Sequence, residues 1–392
     1  TITACDFRNN SKNALLLSGR NQLIYDNTFG QNQKIDLQDK ILLNQTLKIA
    51  GTLDNGKPVP YNLGSSVLVE NTQSPVTLTI LAGVEIQGHS WGGLSCGASE
   101  LIIGKNGTLK VKGTEAEPVL FTSSGANKTK ESWGKIIIEA DSRTAETSLD
   151  YAILEYGSSG TYDVTGYCHN RKYQMLEIEA GTPRIQNSIF RYSRENGLFI
   201  AENATPEIYN CQFIANSDYG ILMDKNAHGK IISCDFREND YAIKLTSTEH
   251  TISKNSFGND QKIELRSKLT QDLTLQHPGQ LDNGDTAPYL MRSKTQVSNE
   301  ENPITLTIQG GVQMQGTNWG GYSCGSSQLV IGKNAALKIA GTSRKPVLFT
   351  SQSLEDKDQD PWGKIIIKDD SRSSETVIKF AILEYRAADT YD

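Results

Sequence analysis

Residues 93 to 97 read GLSCG and residues 321 to 325 read GYSCG, 228 positions further on. Both fit G-x-S-x-G, the pattern that in one class of hydrolases holds a nucleophilic serine on a tight turn between a strand and a helix. That chemistry needs a helix behind the serine, a histidine to take its proton and an acid to orient the histidine. After Ser95 the chain continues as ASELIIGKNGTLKVKG, which reads as strand, turn and strand. The histidines are His89, His169, His228, His250 and His277, and none recurs at an equivalent place beside the second serine; His89 aligns with Thr317. Two equivalent serines without a shared base are not two nucleophiles. The segments are expected to be wide loops in which glycine permits positive φ and Trp91 and Trp319 cover the rim.

A second constellation also occurs twice. ADSRTAET at 140 to 147 returns as DDSRSSET at 369 to 376, so Asp141, Arg143 and Glu146 recur as Asp370, Arg372 and Glu375. Acid, base and acid within six residues of a loop could grip a sugar or a cation, or they could pair with one another and with water, as exposed charges commonly do. Other carboxylates fail to recur: Glu85 becomes Gln313, Glu100 becomes Gln328 and Asp26 becomes Lys254, which reads as solvated surface. Trp91, Trp319, Asp141, Arg143, Glu146, Asp370, Arg372 and Glu375 are the candidate ligand-binding residues. No catalytic residue, metal site or cofactor is assigned. The six cysteines show no C-x-x-C spacing, and Cys211 and Cys234, one short period apart with Cys5 as the counterpart of Cys234, are expected to be interior thiols. Cys168 and His169 are adjacent, so strand alternation would point them apart.

The elements that carry these loops are strands. The chain has 392 residues, 34 Gly and 37% hydrophobic residues, the last in short runs broken by Asn, Gly, Ser and Thr. The 45 acidic and 39 basic residues are mixed along the length, with no basic stripe to meet phosphates, so nucleic acid is not an expected partner. No apolar run approaches the roughly 18 residues that cross a bilayer, so no membrane insertion is expected of this segment. Thr1 opens in the middle of a strand pattern, which is expected of a processed or excised piece of a longer protein.

The sequence repeats at two scales. Residues 1–163 match 230–392 at an offset of 228 or 229: PVTLTILAGVEIQG returns as PITLTIQGGVQMQG, and PVLFTS and WGKIII return unchanged. Inside this long unit a shorter period places Phe190, Phe213, Phe236 and Phe257 at spacings of 23, 23 and 21, with Phe7 and Phe29 in the same series. Three residues after several of these lies a polar turn former, Asn10, Ser193, Asn216 or Asn239, expected to take the left-handed conformation that Asn tolerates. A short period of this kind, with alternating strands and turns and no crossover helix, is met by a coiling backbone in which each turn adds one strand to each of several parallel sheets. The expected fold is all-β, a right-handed parallel β-helix of about 17 rungs stacked ~4.8 Å apart, built from tandem units of about 228 residues. Residues 1–163 form a first partial unit, 164–229 intervening rungs and 230–392 the second copy. The unit junctions are expected near 40–64 and 268–292.

The strings PYNLGSSVLVENTQSPVTLTILAGVEIQG, LIIGKNGTLKVKGTEAEPVLFTSS and WGKIIIEADSRTAETSLDYAILEYG carry a resemblance. Over almost its whole length the chain resembles the right-handed parallel β-helix repeat proteins of the pectin-lyase-like superfamily, in particular bacterial secreted or cell-surface members. The resemblance implies an extracellular or cell-surface location and is specific for fold, because lyases, hydrolases, adhesins and proteins with no known chemistry share it. The histidine-tipped, aspartate-rich strings of polygalacturonases and the tryptophan-aspartate-histidine string of pectate lyases are missing, so catalysis by those mechanisms is not expected. The expected role is a structural or adhesive repeat module, partnered by neighbouring units or by identical chains end to end. The alternative is a carbohydrate-binding or polysaccharide-cleaving domain for extracellular glycans, with Trp91, Trp319, Tyr156 and Tyr385 as stacking platforms. A calcium-stabilised rod is a further alternative.

Overall fold

A computed structural model of the protein describes residues 1–392 apart from 11–12, 18–20, 91–96, 131, 160–173, 246–249, 320–324, 354–361 and 386–392. The chain divides into two compact units, Thr1–Leu222 and Met223–Asp392. The strands are short, and their burial alternates as the pleat requires. In Val76–Leu81 the aliphatic Val76, Leu78 and Ile80 are fully buried while Thr77 and Thr79 face outward. Apolar residues at every second position thus supply one inner face per strand.

In the first unit three parallel sheets receive one strand each per coil. Leu101–Ile103, Gly107–Lys112 and Val119–Ser123 follow one another along the chain and lie on three different sheets. Each then pairs in parallel with its successor: Leu101 with Ile136, Val111 with Leu149 and Phe121 with Leu154. The second unit is built the same way, with Ile304 paired to Ala335, Leu329 to Ile365 and Phe349 to Leu383. Like residues stack on like. The rings of Phe190 and Phe213 lie 5.0 Å apart in the first unit and those of Phe236 and Phe257 5.3 Å apart in the second, each pair nearly parallel and fully buried. Among the described residues the only helical segments are two single 3-10 turns, Thr144–Glu146 and Ser373–Glu375.

Two expectations are corrected. Coil length is not uniform. Ser193 bonds Asn216 at a separation of 23 in the chain, but Thr122 bonds Glu155 at 33 and Ala140 bonds Glu179 at 39. The surplus lies between strands and lengthens a coil without adding one, so dividing the chain by its short period does not count its rungs. The left-handed turns also sit one residue earlier than expected, at Asn9, Tyr192, Ala215 and Glu238, with φ of 54° to 64°. Ser193, Asn216 and Asn239 are instead buried bridges between coils. Asn216 accepts from the Ser193 N–H at 3.1 Å and donates to the Phe190 carbonyl at 3.1 Å, and Asn239 donates to Gln261 at 3.1 Å. A buried amide that satisfies a neighbouring coil's backbone must point inward, and the αL residue before it turns the chain to allow this.

Asn27 and Asn255 do the same work at two further corners. Asn27 accepts from the Cys5 N–H and donates to the carbonyls of Ile2, Tyr25 and Ala50. Asn255 accepts from the Cys234 N–H at 2.8 Å and donates to the carbonyls of Ile231 and Pro278. Gly51 and Gly279 pack directly on these asparagines, where any Cβ would overlap the Asn27 or Asn255 carbonyl. Cys5, Cys211 and Cys234 are thiols. Cys211 and Cys234 are buried and donate to the carbonyls of Tyr209 and Ile232, while Cys5 is exposed and bonds Thr3, so interior placement does not extend to it.

Candidate functional site

The recurring acid-base-acid loops are built alike in the two units. The Asp141 carbonyl accepts from the Asn106 N–H at 3.3 Å and the Arg143 N–H donates to Gly107 at 2.8 Å, which ties the loop to the coil before it. Asp370 and Arg372 make the equivalent bonds to Asn334 at 3.1 Å and Ala335 at 2.8 Å. A 3-10 turn then brings Arg143 onto Glu146 and Arg372 onto Glu375 as i,i+3 ion pairs. Two of the three charges in each loop therefore neutralise each other at the surface, where such a pair contributes little.

The third charge separates the copies. Asp141 stands with Glu70 and Glu179 around Glu139, whose carboxyl is pushed above its ordinary range by burial and then by those three neighbours. In the second unit Lys368 takes the place of Glu139, and Asp370 joins Glu300, the main cause, in raising Lys333. The same three residue types thus stand beside a glutamate in one copy and a lysine in the other.

Trp91, with Gly93 to Cys96 of the first G-x-S-x-G match, lies outside the described residues, as do residues 321–324 of the second and the Cys168–His169 pair. The loop bases are described. Ser90 bridges Ala98 antiparallel, and Asn318–Trp319 pairs antiparallel with Gly325–Ser326. Strands Leu101–Ile103 and Leu329–Ile331 follow, where a nucleophile elbow would place a helix. Tyr156, at φ 59°, stacks on Tyr192 at 5.1 Å, and Lys128 lies over its ring at 5.7 Å.

What sequence reading missed is a row of polar residues on one sheet of the first unit, half-buried at Asp36, Asn62, Gln87 and Arg191 and buried at Thr122 and Glu155. Asp36 pairs with Asn62, Asn62 with Gln87 and Gln87 with Thr122, and the row continues to Glu155 and Arg191. Asp36 accepts from Asn13 and Asn62, both at 2.8 Å. Glu155 is 4% exposed and accepts from Thr122 at 2.8 Å, Lys128 at 3.1 Å and Arg191 at 2.5 Å and 2.9 Å. Burial alone would raise its carboxyl, but the bonds from Arg191, Thr122 and Lys128 outweigh burial and hold it below the ordinary range. Glu155 recurs as Glu384, and that recurrence was the available signal; Glu384 accepts from Thr350 at 2.9 Å as Glu155 does from Thr122. Nearby, burial and then Lys34 lower the His89 imidazole, whose Nδ1 lies 3.2 Å from Ser99 Oγ. Burial in turn lowers Lys34 against the pull of Asp36 and Glu85.

Coils of parallel strands with loops at their corners define a parallel β-helix, and the comparison of families agrees. The chain matches the model of the pectate-lyase-like beta helix domain over residues 46–179 and 273–379, and that of the right handed beta helix region over 139–275. The first match spans more than half of the chain, and the protein belongs to the pectate-lyase-like beta helix family. No curated protein and no solved structure matches it. The fold class includes enzymes, so membership by itself decides nothing about catalysis. Among the described residues no group of three or more His, Cys, Asp or Glu could hold a metal ion, and no helix is long and apolar enough to cross a membrane.

Proposed function

We propose that the chain is a structural and interaction module of a secreted or cell-surface β-helix protein, extended by neighbouring repeat units or by identical chains end to end. The observation that carries this reading is that residues 230–392 repeat 1–163 with the same strand pairing, Phe121 to Leu154 and Phe349 to Leu383, a pattern in which each coil stacks on the next. Leu149 and Leu154, the counterparts of Ile378 and Leu383, are fully buried beneath the coil that holds Ile185 and Phe190. A strand face of this composition, with its N–H and C=O groups along one edge, accepts another coil. The Arg143–Glu146 and Arg372–Glu375 pairs support the same reading, since in each recurring loop two of the three charges already match each other. Sedimentation velocity over a concentration series tests it. The chain should self-associate, and Ile378→Lys with Leu383→Lys should stay monomeric while a circular dichroism melt shows the other coils folded; a wild-type monomer at high concentration overturns end-to-end assembly.

Carbohydrate binding is the second reading, favoured by the half-buried stretch Asp36, Asn62 and Gln87 of the polar row, whose amide and carboxylate groups suit a hydroxylated ligand. Glycan-array binding that is lost in Asn62→Ala with Gln87→Ala would establish it, and a blank array would remove it.

A further inference from the structure

The second unit carries a basic groove, three of whose cations are replaced in the first copy. A concavity of about 400 Å³ is lined by Lys225, Lys244, Arg266, Lys268 and Arg292, with Glu264 as the one carboxylate among the described residues of its wall. Lys244 and Glu264 are register partners on adjacent coils, joined at 2.9 Å, and Arg292 reaches the other Glu264 oxygen at 3.5 Å. Arg292 is further held over the Tyr241 ring at 5.1 Å, and Arg266 is braced by Asp224 at 3.0 Å. Among the described residues neither Lys225 nor Lys268 has a carboxylate within ion-pair distance. Five cations thus line or flank a space in which, among the described residues, Glu264 and Asp224 are the carboxylates in ion-pair contact with them, and Glu264 is shared between two.

The fold does not require this charge. The first copy builds the same coils with Leu16 at the Lys244 position, Gln38 at Arg266 and Gly64 at Arg292; only Lys40 keeps the character of Lys268. Leu16 pairs with Asp36 in the same register as Lys244 with Glu264. Three cations therefore gather in one copy at positions where the other folds without them. Clustering like charge costs self-repulsion unless an anion offsets it.

We propose that this groove binds a compact, doubly charged oxyanion, a phosphate or a sulfate, free or as the monoester of a sugar. Its volume of about 400 Å³ admits such an ion with its water or as the monoester of a sugar. Guanidinium forks already oriented by Tyr241 and Asp224 match tetrahedral oxyanions, and lysine ammoniums add point charges from the rim. A single carboxylate would leave most of the positive charge unmatched. The reading stands apart from the structural role and from the polar row of the first unit, and neither failure would touch it.

The test is titration of the whole chain with inorganic phosphate, with sulfate and with a sugar monophosphate, followed by calorimetry at constant ionic strength set with chloride. Saturable one-to-one binding of at least one of the three is expected, and the strongest arm identifies the source. Lys225→Ala with Lys268→Ala, both at the surface, should weaken it at least tenfold and leave the thermal melt unchanged. Lys333→Ala with Lys338→Ala, elsewhere on the same unit, should not weaken it. Absence of saturation in all three arms, or equal affinity in both double variants, would overturn the proposal.

Discussion

The indole N–H of Trp133 donates to the backbone carbonyl of Glu155 at 2.8 Å, and Trp362 repeats the bond to Glu384 at 2.7 Å. Both indoles are buried to 1% exposure or less, packed against Gly88, where a Cβ would be tight, and Gly316, where a Cβ would overlap the Trp362 side chain. The bond pins the corner from which the Glu155 carboxylate starts. Trp133→Phe keeps the apolar body and strands a buried carbonyl, so a loss of about 1–2 kcal/mol is expected in denaturant melts.

Glu155 itself sets a pH dependence. Its folded-state carboxyl lies below the ordinary range, so the stability it contributes is full above the unfolded value and fades as pH falls through the folded one. Arg191→Met should cost about 2 kcal/mol at pH 7, because it leaves a buried carboxylate short of its main partner. The loss should shrink as the pH is lowered toward the carboxylate range; a deficit that stays constant with pH would contradict the assignment.

Glu139 shows the opposite sign. Its carboxyl is raised, so the folded state holds a proton more tightly than the unfolded chain, and ionisation costs stability as pH rises through the unfolded and then the folded value. Glu139→Gln should stabilise the protein near neutral pH by a few tenths of a kcal/mol, solvent screening keeping the gain small. The gain should vanish at acid pH, as thermal melts of both proteins across that range will show.

Two glycines of one unit separate close approach from backbone freedom. At Gly279 a methyl would overlap the carbonyl of Asn255, the residue that holds Cys234, Ile231 and Pro278 together, so Gly279→Ala should cost about 3 kcal/mol or abolish folding. Gly284 has φ +88° and nothing within 4 Å of an added Cβ, so Gly284→Ala should cost only about 1 kcal/mol from backbone strain. Comparable losses at both positions would refute the packing argument.

The fold was legible because its signals are periodic. The even spacing of Phe190, Phe213, Phe236 and Phe257 marks columns, and the near-copies mark strands that must stack alike. Residues that act across coils were less legible. Asn216 and Asn239 read as turn formers because their partners lie a whole coil away, and local propensity carries no information at that distance. The loop triads read as one motif, yet Glu139 against Lys368 gives the two copies different fields. Recurrence between copies also selects for shared scaffold, which is why the cations around Lys244, present in one copy alone, escaped it.

Neighbouring coils bond to each other across a chain separation of 23 at Ser193 and Asn216 and of 39 at Ala140 and Glu179. Pairing therefore does not measure the connecting chain, only where it returns. A segment can be spliced between two strands while the neighbouring coils keep their partners, so new surface can be tried at one position without putting the rest at risk. Descent of such a chain can lengthen the loops between its strands and leave its walls and its bonded corners unchanged.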